Sequence, residues 1–186
     1  ATKQKWVLAE LEEIKEFLLH SQYTDISQLN PKARESHPDS VPKKEGEAHG
    51  GWGHNPGFEG YGPIAMITGQ GALTLAMIKH CGIDVDLDRH KAAYEFLARA
   101  TGRNGYTWYE DEVAGHGDYA DMGRTGAAGL ANMMSPYKDA IYKKRAQRHA
   151  HCIGEHPDSF PDTHGSPTMG MVFTALAANA NANDFR

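Results

Sequence analysis

The sequence predicts an all-α fold, an α/α toroid or an arc of one, built from about three helix pairs. Three observations predict it. Amphipathic helix patterns alternate with helix patterns that are apolar almost all round. Near each turn that precedes an apolar helix stand an aromatic residue (Trp52, Trp108, Phe160) and a His-Gly pair (His49-Gly50, His116-Gly117, His164-Gly165). The apolar helices also share a register: Thr68-Gly69-Gln70-Gly71-Ala72-Leu73, Thr125-Gly126-Ala127-Ala128-Gly129-Leu130 and Thr168-Met169-Gly170-Met171-Val172-Phe173. A helix with one polar side belongs at a surface and one that is apolar all round belongs inside. The alternation therefore predicts outer helices around inner ones, at the 57- and 43-residue steps from Thr68 to Thr125 to Thr168, near the spacing of stacked repeats.

The elements follow in order. From Trp6 to His20, Val7, Leu8, Leu11, Ile14, Phe17 and Leu18 share one helical face. From Asn30 to Ala48, Pro31, Pro38 and Pro42 interrupt polar residues without periodicity, which predicts an exposed loop within a long connection over 30–60. Ile64 to His80 reads as a buried helix whose Gly69, Gly71, Ala72 and Ala76 admit close neighbours, with Cys81-Gly82 as its end. Asp86 or Asp88 caps a second amphipathic helix reaching about Ala100, with Ala92, Ala93, Phe96 and Leu97 inward. A turn-rich stretch then leads to an apolar helix from Gly123 to about Met134, ended by Pro136. A third amphipathic stretch, about Lys138 to Ile153, precedes the last apolar helix, Pro167 to about Asn179. The chain thus reads as one repeat domain over 1–186, with units at about 5–80, 88–135 and 138–180.

Charge and composition narrow the function. Lys and Arg number 19 against 24 Asp and Glu, a formal charge of −5, with no basic stripe to meet a phosphate backbone. Nucleic acid is not an expected partner. No apolar run reaches the roughly 20 residues that span a bilayer. Two cysteines, Cys81 and Cys152, are too few for a disulfide framework and leave the redox compartment open. The 11 histidines make the charge sensitive to pH below about 6.

Gly50-Gly51-Trp52-Gly53 with Gly60-Tyr61-Gly62, and His164-Gly165 ahead of the apolar run Met171 to Ala177, resemble the repeats of the α/α-toroid superfamily of terpenoid cyclases and protein prenyltransferase β subunits. The chain is also similar to uncharacterised bacterial proteins that carry such repeats with no assigned activity. The resemblance spans almost the whole sequence and rests on fold motifs. It implies a ring larger than three pairs, so the chain is expected to be part of a longer protein or an arc completed by another copy. A cyclase would need an Asp-rich acid motif, and Asp84-Val85-Asp86-Leu87-Asp88 reads instead as a helix cap and solvated turn. A prenyltransferase would need an Asp, Cys and His zinc set, and Cys152 falls on an outer helix. The resemblance places His164 near a diphosphate, with Arg124 as the one candidate cation.

If loops ahead of the inner helices gather at one rim, Trp52, His54, Trp108, Tyr109, Asp121 and Arg124 become ligand-binding candidates, and His116, Asp118 and His164 catalytic ones. Aromatic faces beside His, Asp and Arg suit a sugar or other polar ring. The bland alternative is that Trp52, Trp108 and Phe160 wedge the helix pairs together. Acid–base work would pair His116 with Asp118 or His164 with Asp162, with Tyr106, Tyr109 and Tyr119 as further partners by analogy with toroids that cleave acidic polysaccharides. Nothing in the spacing of His49, His54, His116, Asp118 and His164 enforces a metal site, and any cofactor stays unassigned. His149, His151 and His156 fall on a basic helix with Lys143, Lys144, Arg145 and Arg148, and are expected in solvent. Three functions remain: a ligand-binding or carbohydrate-processing module; an isoprenoid-type enzyme, whose mark would be an aliphatic cavity lined by Met66, Met77 and Met133; and a structural or assembly domain.

Overall fold

The computed structural model describes residues 4–36, 42, 44–54, 62–115, 117–160 and 167–181. It is all-helical: α1 (Lys5–Ser21), α2 (Pro31–Ser36), α3 (Ala65–His80), α4 (Leu87–Arg99), α5 (Gly123–Met133), α6 (Ala140–Glu155) and α7 (Pro167–Asn181), with 3₁₀ turns at Ile26–Gln28 and Pro157–Ser159. Among the described residues no strand forms, only a single bridge between Thr101 and Thr107.

Local chemistry sets the helix ends. Asp86 caps α4 by accepting from the Asp88 and Arg89 amides at 3.0 Å, and Asp139 caps α6 by accepting from the Ile141 amide. Gly82 takes a φ of +88° just beyond α3, the left-handed stop that glycine allows.

The apolar helices α3, α5 and α7 lie in one row, but α7 is not buried as its apolar sequence predicts: of its residues only Gly170, Thr174 and Ala177 are buried among those described, because it packs on α5 and α6 at one end of the row. α5 lies between α3 and α7; α4 packs on α3, α6 on α5 and α7, and α1 on α3. α3 and α5 run parallel. At their starts the Ala65 amide donates to the Tyr109 carbonyl while the Tyr109 ring lies 5.7 Å from the Arg124 guanidinium. At their ends the His80 Nε2 donates to the Met134 carbonyl at 2.9 Å. α5 and α7 are parallel too: a Cβ on Gly126 would come within 2.5 Å of the Thr174 nitrogen, and one on Gly129 within 3.3 Å of the Ala177 Cβ. Helices this close need glycine at the crossing.

The first two units share the geometry of their glycine turns. Gly50 (φ +89°) and Gly105 (φ +88°) each press against the following outer helix, where a Cβ would stand 2.3 Å from the Ala92 carbonyl oxygen and 2.4 Å from that of Arg148. Two residues on, the Trp52 amide donates to Thr68 Oγ1 and the Thr107 amide to Thr125 Oγ1, both at 3.0 Å. Trp52 therefore corresponds to Thr107, one residue away from the expected Trp108.

The third unit is out of the expected register. Gly69 of α3 meets the Ala127–Ala128 junction of α5, and Gly126 of α5 meets the Phe173–Thr174 junction of α7. By that step Val172, and neither Met169 nor Gly170, stands where Gly69 and Gly126 stand. Thr168 is exposed, whereas Thr68 and Thr125 are buried.

Three further expectations need correction. α1 has the predicted stripe, but none of its residues is buried and Phe17 is 58% exposed, because its contact with the rest of the fold is slight, mainly with α3 and, through the Leu18 and Leu19 carbonyls, with Trp52 and Arg89. The stretch after Asn30 is not wholly an exposed loop: it begins with α2, and Leu29 and Ala48 at its borders are buried. His149, expected in solvent, is buried against α5, its Nδ1 donating to the Gly105 carbonyl at 2.8 Å. Of its neighbours, His151 is exposed and His156 is half-buried.

Candidate functional site

The turn before α5 carries a cluster of polar side chains, and a buried tyrosine organises it. Asn104 Oδ1 accepts from the Tyr106 amide at 3.2 Å, and the Gly102 amide donates to the Tyr106 carbonyl at 2.9 Å. Gly117 then passes so near the Tyr106 ring that a Cβ would stand 2.8 Å away. Those contacts aim the Tyr106 hydroxyl at the start of α5. It accepts from Arg124 Nη2 at 2.8 Å and shares its proton between the Ala120 carbonyl and, at 3.1 Å, Asp118 Oδ1. Burial pushes this hydroxyl up to about 12, so it stays protonated.

Arg124, only 8% exposed, lies 5.7 Å from the centres of the Tyr106 and Tyr109 rings, and its Nε is 3.6 Å from Asp121 Oδ2. The two rings and the carboxylate offset part of the cost of burying the guanidinium, although its buried Nε makes no hydrogen bond among the described residues. Asp118 is exposed; its Oδ1 accepts from the Ala120 amide, and chiefly that bond holds its carboxyl below the usual range. Tyr119 and Asp121 have φ of +58° and +51°, left-handed conformations that cost non-glycine residues about 1–2 kcal/mol each. This strain turns the Tyr119 ring edge-on to Tyr106 at 5.5 Å and stacks it on His156 at 3.5 Å. Trp108, half-buried, meets the other side of Tyr106 at 5.3 Å.

Of the predicted site residues, Trp108, Tyr109, Asp118, Asp121 and Arg124 thus come together. Trp52 does not join them. It is 3% exposed, its Nε1 donates to the Leu18 carbonyl at 2.8 Å, and its ring touches the Gly71 position, so it wedges α1 against α3. His54 is exposed beside it, at a cleft between α1 and α3. His116 and His164 lie outside the described residues, as does Asp162. Two contributors were not placed at the site from sequence: His156, expected in solvent, and the Ala120 carbonyl. The signal for the carbonyl is Asp118 two residues before it, an Asx turn; His156 had no local signal, because α6 brings it in from the third unit.

Among the described residues no group of three or more His, Cys, Asp or Glu could hold a metal. No helix there is long and apolar enough to cross a membrane. Met66 is buried, but Met77 and Met133 are exposed, so the three do not line a common cavity. Cys152 is buried, which pushes its thiol up to about 12, while Cys81 is exposed.

A family model described as a domain of unknown function, DUF6288, matches residues 35–185. The chain belongs to the DUF6288 family. No curated protein and no solved structure matches it. In this DUF6288 chain the matched range holds the whole Tyr106–Arg124 cluster and all of α3 to α7, and α1 precedes it.

Proposed function

We propose that the chain is an arc of an α/α toroid whose second helix pair binds a neutral carbohydrate, or a similar polyhydroxylated ligand, at its rim. Parallel inner helices backed by outer ones, with Gln70 of α3 reaching Met169 of α7 at 3.5 Å, support a curved row. One observation carries the ligand reading. The exposed Asp118 carboxylate is fixed on the buried Tyr106 hydroxyl, beside the half-buried rings of Trp108 and Tyr119. A fixed acceptor beside aromatic surface suits hydroxyl and C–H faces of a sugar. Glu110, Asp111, Glu112, Asp118 and Asp121 make the segment acidic, and Arg124 is committed to Tyr106 and Asp121. Both features disfavour a diphosphate there, and with it the isoprenoid reading.

Titration of the chain with neutral oligosaccharides, read by tryptophan fluorescence, tests this. Saturable binding is expected, and Asp118→Asn is expected to weaken it about tenfold or more, the worth of a hydrogen bond to a charged acceptor. Binding that ignores Asp118→Asn, or no binding by any neutral oligosaccharide, contradicts the reading.

The assembly reading also has an observation in its favour. α7 carries no charged residue, yet Met171, Val172 and Leu176 are each about half exposed. By the step between inner helices, Val172 and Leu176 lie on the face with which α3 meets α5 and α5 meets α7. A second copy docking there would make the chain self-associate, and Leu176→Glu is expected to return it to monomer in sedimentation.

A further inference from the structure

A second site lies toward the C-terminal end of α5, in the gap between α4 and α6. This cleft of about 270 Å³ has Asn132 and His149 on its inner wall and Lys144, Arg145 and Arg148 around it. The inner wall is unusual within the fold. By the equivalence of Thr68 with Thr125 and of Ala92 with Arg148, the first unit fills the positions of Asn132 and His149 with Leu75 and Ala93, both fully buried. The second unit buries two polar side chains, each 2% exposed, where an apolar pair suffices.

Those side chains are not fully employed by the protein. Asn132 Nδ2 donates to the Ala128 carbonyl at 2.9 Å, which fixes the amide orientation, and its buried Oδ1 has no hydrogen-bond partner among the described residues. His149 donates from Nδ1 to the Gly105 carbonyl, which leaves Nε2 an acceptor in the neutral ring. A buried polar atom without a partner is costly unless something else fills the role. The wall therefore presents acceptors, which call for a ligand with hydroxyl or amine donors.

The outer part of the cleft calls for the opposite charge. Arg145 is paired with Glu95 at 3.1 Å. Lys144 and Arg148 are exposed and have no acidic partner among the described residues. Thr101 also lines the cleft, but its hydroxyl is used by the Leu97 carbonyl and Thr107.

We propose that the cleft between α4 and α6 binds a small polyhydroxylated anion, a sugar phosphate or sugar acid, with its hydroxyls on Asn132 Oδ1 and His149 Nε2 and its acid group on Lys144 and Arg148. The volume is at the low end for ligand sites and fits a single sugar unit rather than a chain. This site is independent of the rim at Asp118.

Calorimetry on the chain with glucose 6-phosphate, glucuronate, glucose and inorganic phosphate tests it. Glucose 6-phosphate or glucuronate is expected to bind, glucose and phosphate at least tenfold more weakly, and added salt to weaken the anions. Arg148→Gln is expected to reduce the anion affinity at least fivefold with no change in glucose binding. Asn132→Leu, which installs the first unit's residue and is expected to fold, should reduce affinity for the sugar anion at least tenfold and leave that for phosphate unchanged. The proposal is overturned if neither sugar anion binds, if phosphate binds as well as the sugar phosphate, or if Arg148→Gln has no effect. Since Arg148 is exposed, that last arm decides the matter even if the Asn132 variant does not fold.

Discussion

Gly105→Ala and Gly50→Ala are each expected to destabilise the chain by about 3 kcal/mol or more, and by similar amounts. Two costs combine at each position. A left-handed φ costs an alanine about 1–2 kcal/mol, and a methyl forced to within 2.4 Å of the Arg148 carbonyl oxygen, or 2.3 Å of that of Ala92, must displace a packed helix, which costs about 1–3 kcal/mol. At about 2–4 °C per kcal/mol for a chain of this size, each melting temperature should fall by roughly 10 °C. Gly82→Ala is the control. Its φ is +88° but nothing stands within 4 Å of its Cβ position, so only the backbone cost of about 1–2 kcal/mol applies. Equal melting temperatures for Gly82→Ala and Gly105→Ala would mean that the turn does not press on α6.

Lowering the pH from 7.5 to 5 is expected to remove about 4 kcal/mol of stability through two buried histidines. His90 accepts from the Tyr137 hydroxyl at Nδ1 and donates from Nε2 to the Ala72 carbonyl, both at 2.9 Å. His149 is bound to the Gly105 carbonyl. Burial, helped by Lys79 near the first and by Arg148 and Arg145 near the second, pushes each from 6.5 down to about 4. The folded state therefore refuses protons that the unfolded chain accepts. The stability is complete above about pH 6.5 and drains away as the pH falls toward 4, to about 3 kcal/mol per histidine, with about 2 kcal/mol each already lost at pH 5. Urea unfolding at the two pH values measures it. Unchanged stability at pH 5 would show that neither ring is held neutral by the fold.

Much of the fold was legible because its signals are local. Asp86, Gly82 and the apolar runs each set an element's type or end with chemistry contained in a few residues. The shared Thr68 and Thr125 register was legible from the matching small-residue runs around the two threonines, although the bonds that their hydroxyls accept, from the Trp52 and Thr107 amides, span 16 and 18 residues. Thr168 misled because the third helix is placed by closest approach to Gly126, a tertiary property, and the threonine that meets Gly126 there is Thr174. Pairing Trp52 with Trp108 failed by one residue because the turn counts from its left-handed glycine and the indole is incidental to it. His149 was misread because Lys144, Arg145 and Arg148 dominate its surroundings in sequence, while the face of α6 that carries Tyr142, Ala146, His149 and Ile153 is turned inward.

The candidate site was legible to the same degree. Trp108, Tyr109, Asp118, Asp121 and Arg124 fall within one connection and the first turn of α5, so any compact turn brings them together. Tyr106 ties them through a hydroxyl whose partners are spread over Asp118, Ala120 and Arg124, and no spacing announces that. His156 and Asn132 depend on how the third unit and α4 pack around α5, which sequence distance does not encode.

The fold and both proposed sites depend on α3, α5 and α7 running in the same direction, one step apart. Proton–proton contacts in the isotope-labelled chain measure this directly. Parallel helices are expected to give cross-peaks from the Gly69 Hα to the Ala127 methyl and from the Gly126 Hα to the Thr174 amide. Cross-peaks from Gly69 to the far end of α5, near Met133, would mean antiparallel helices and would contradict the fold.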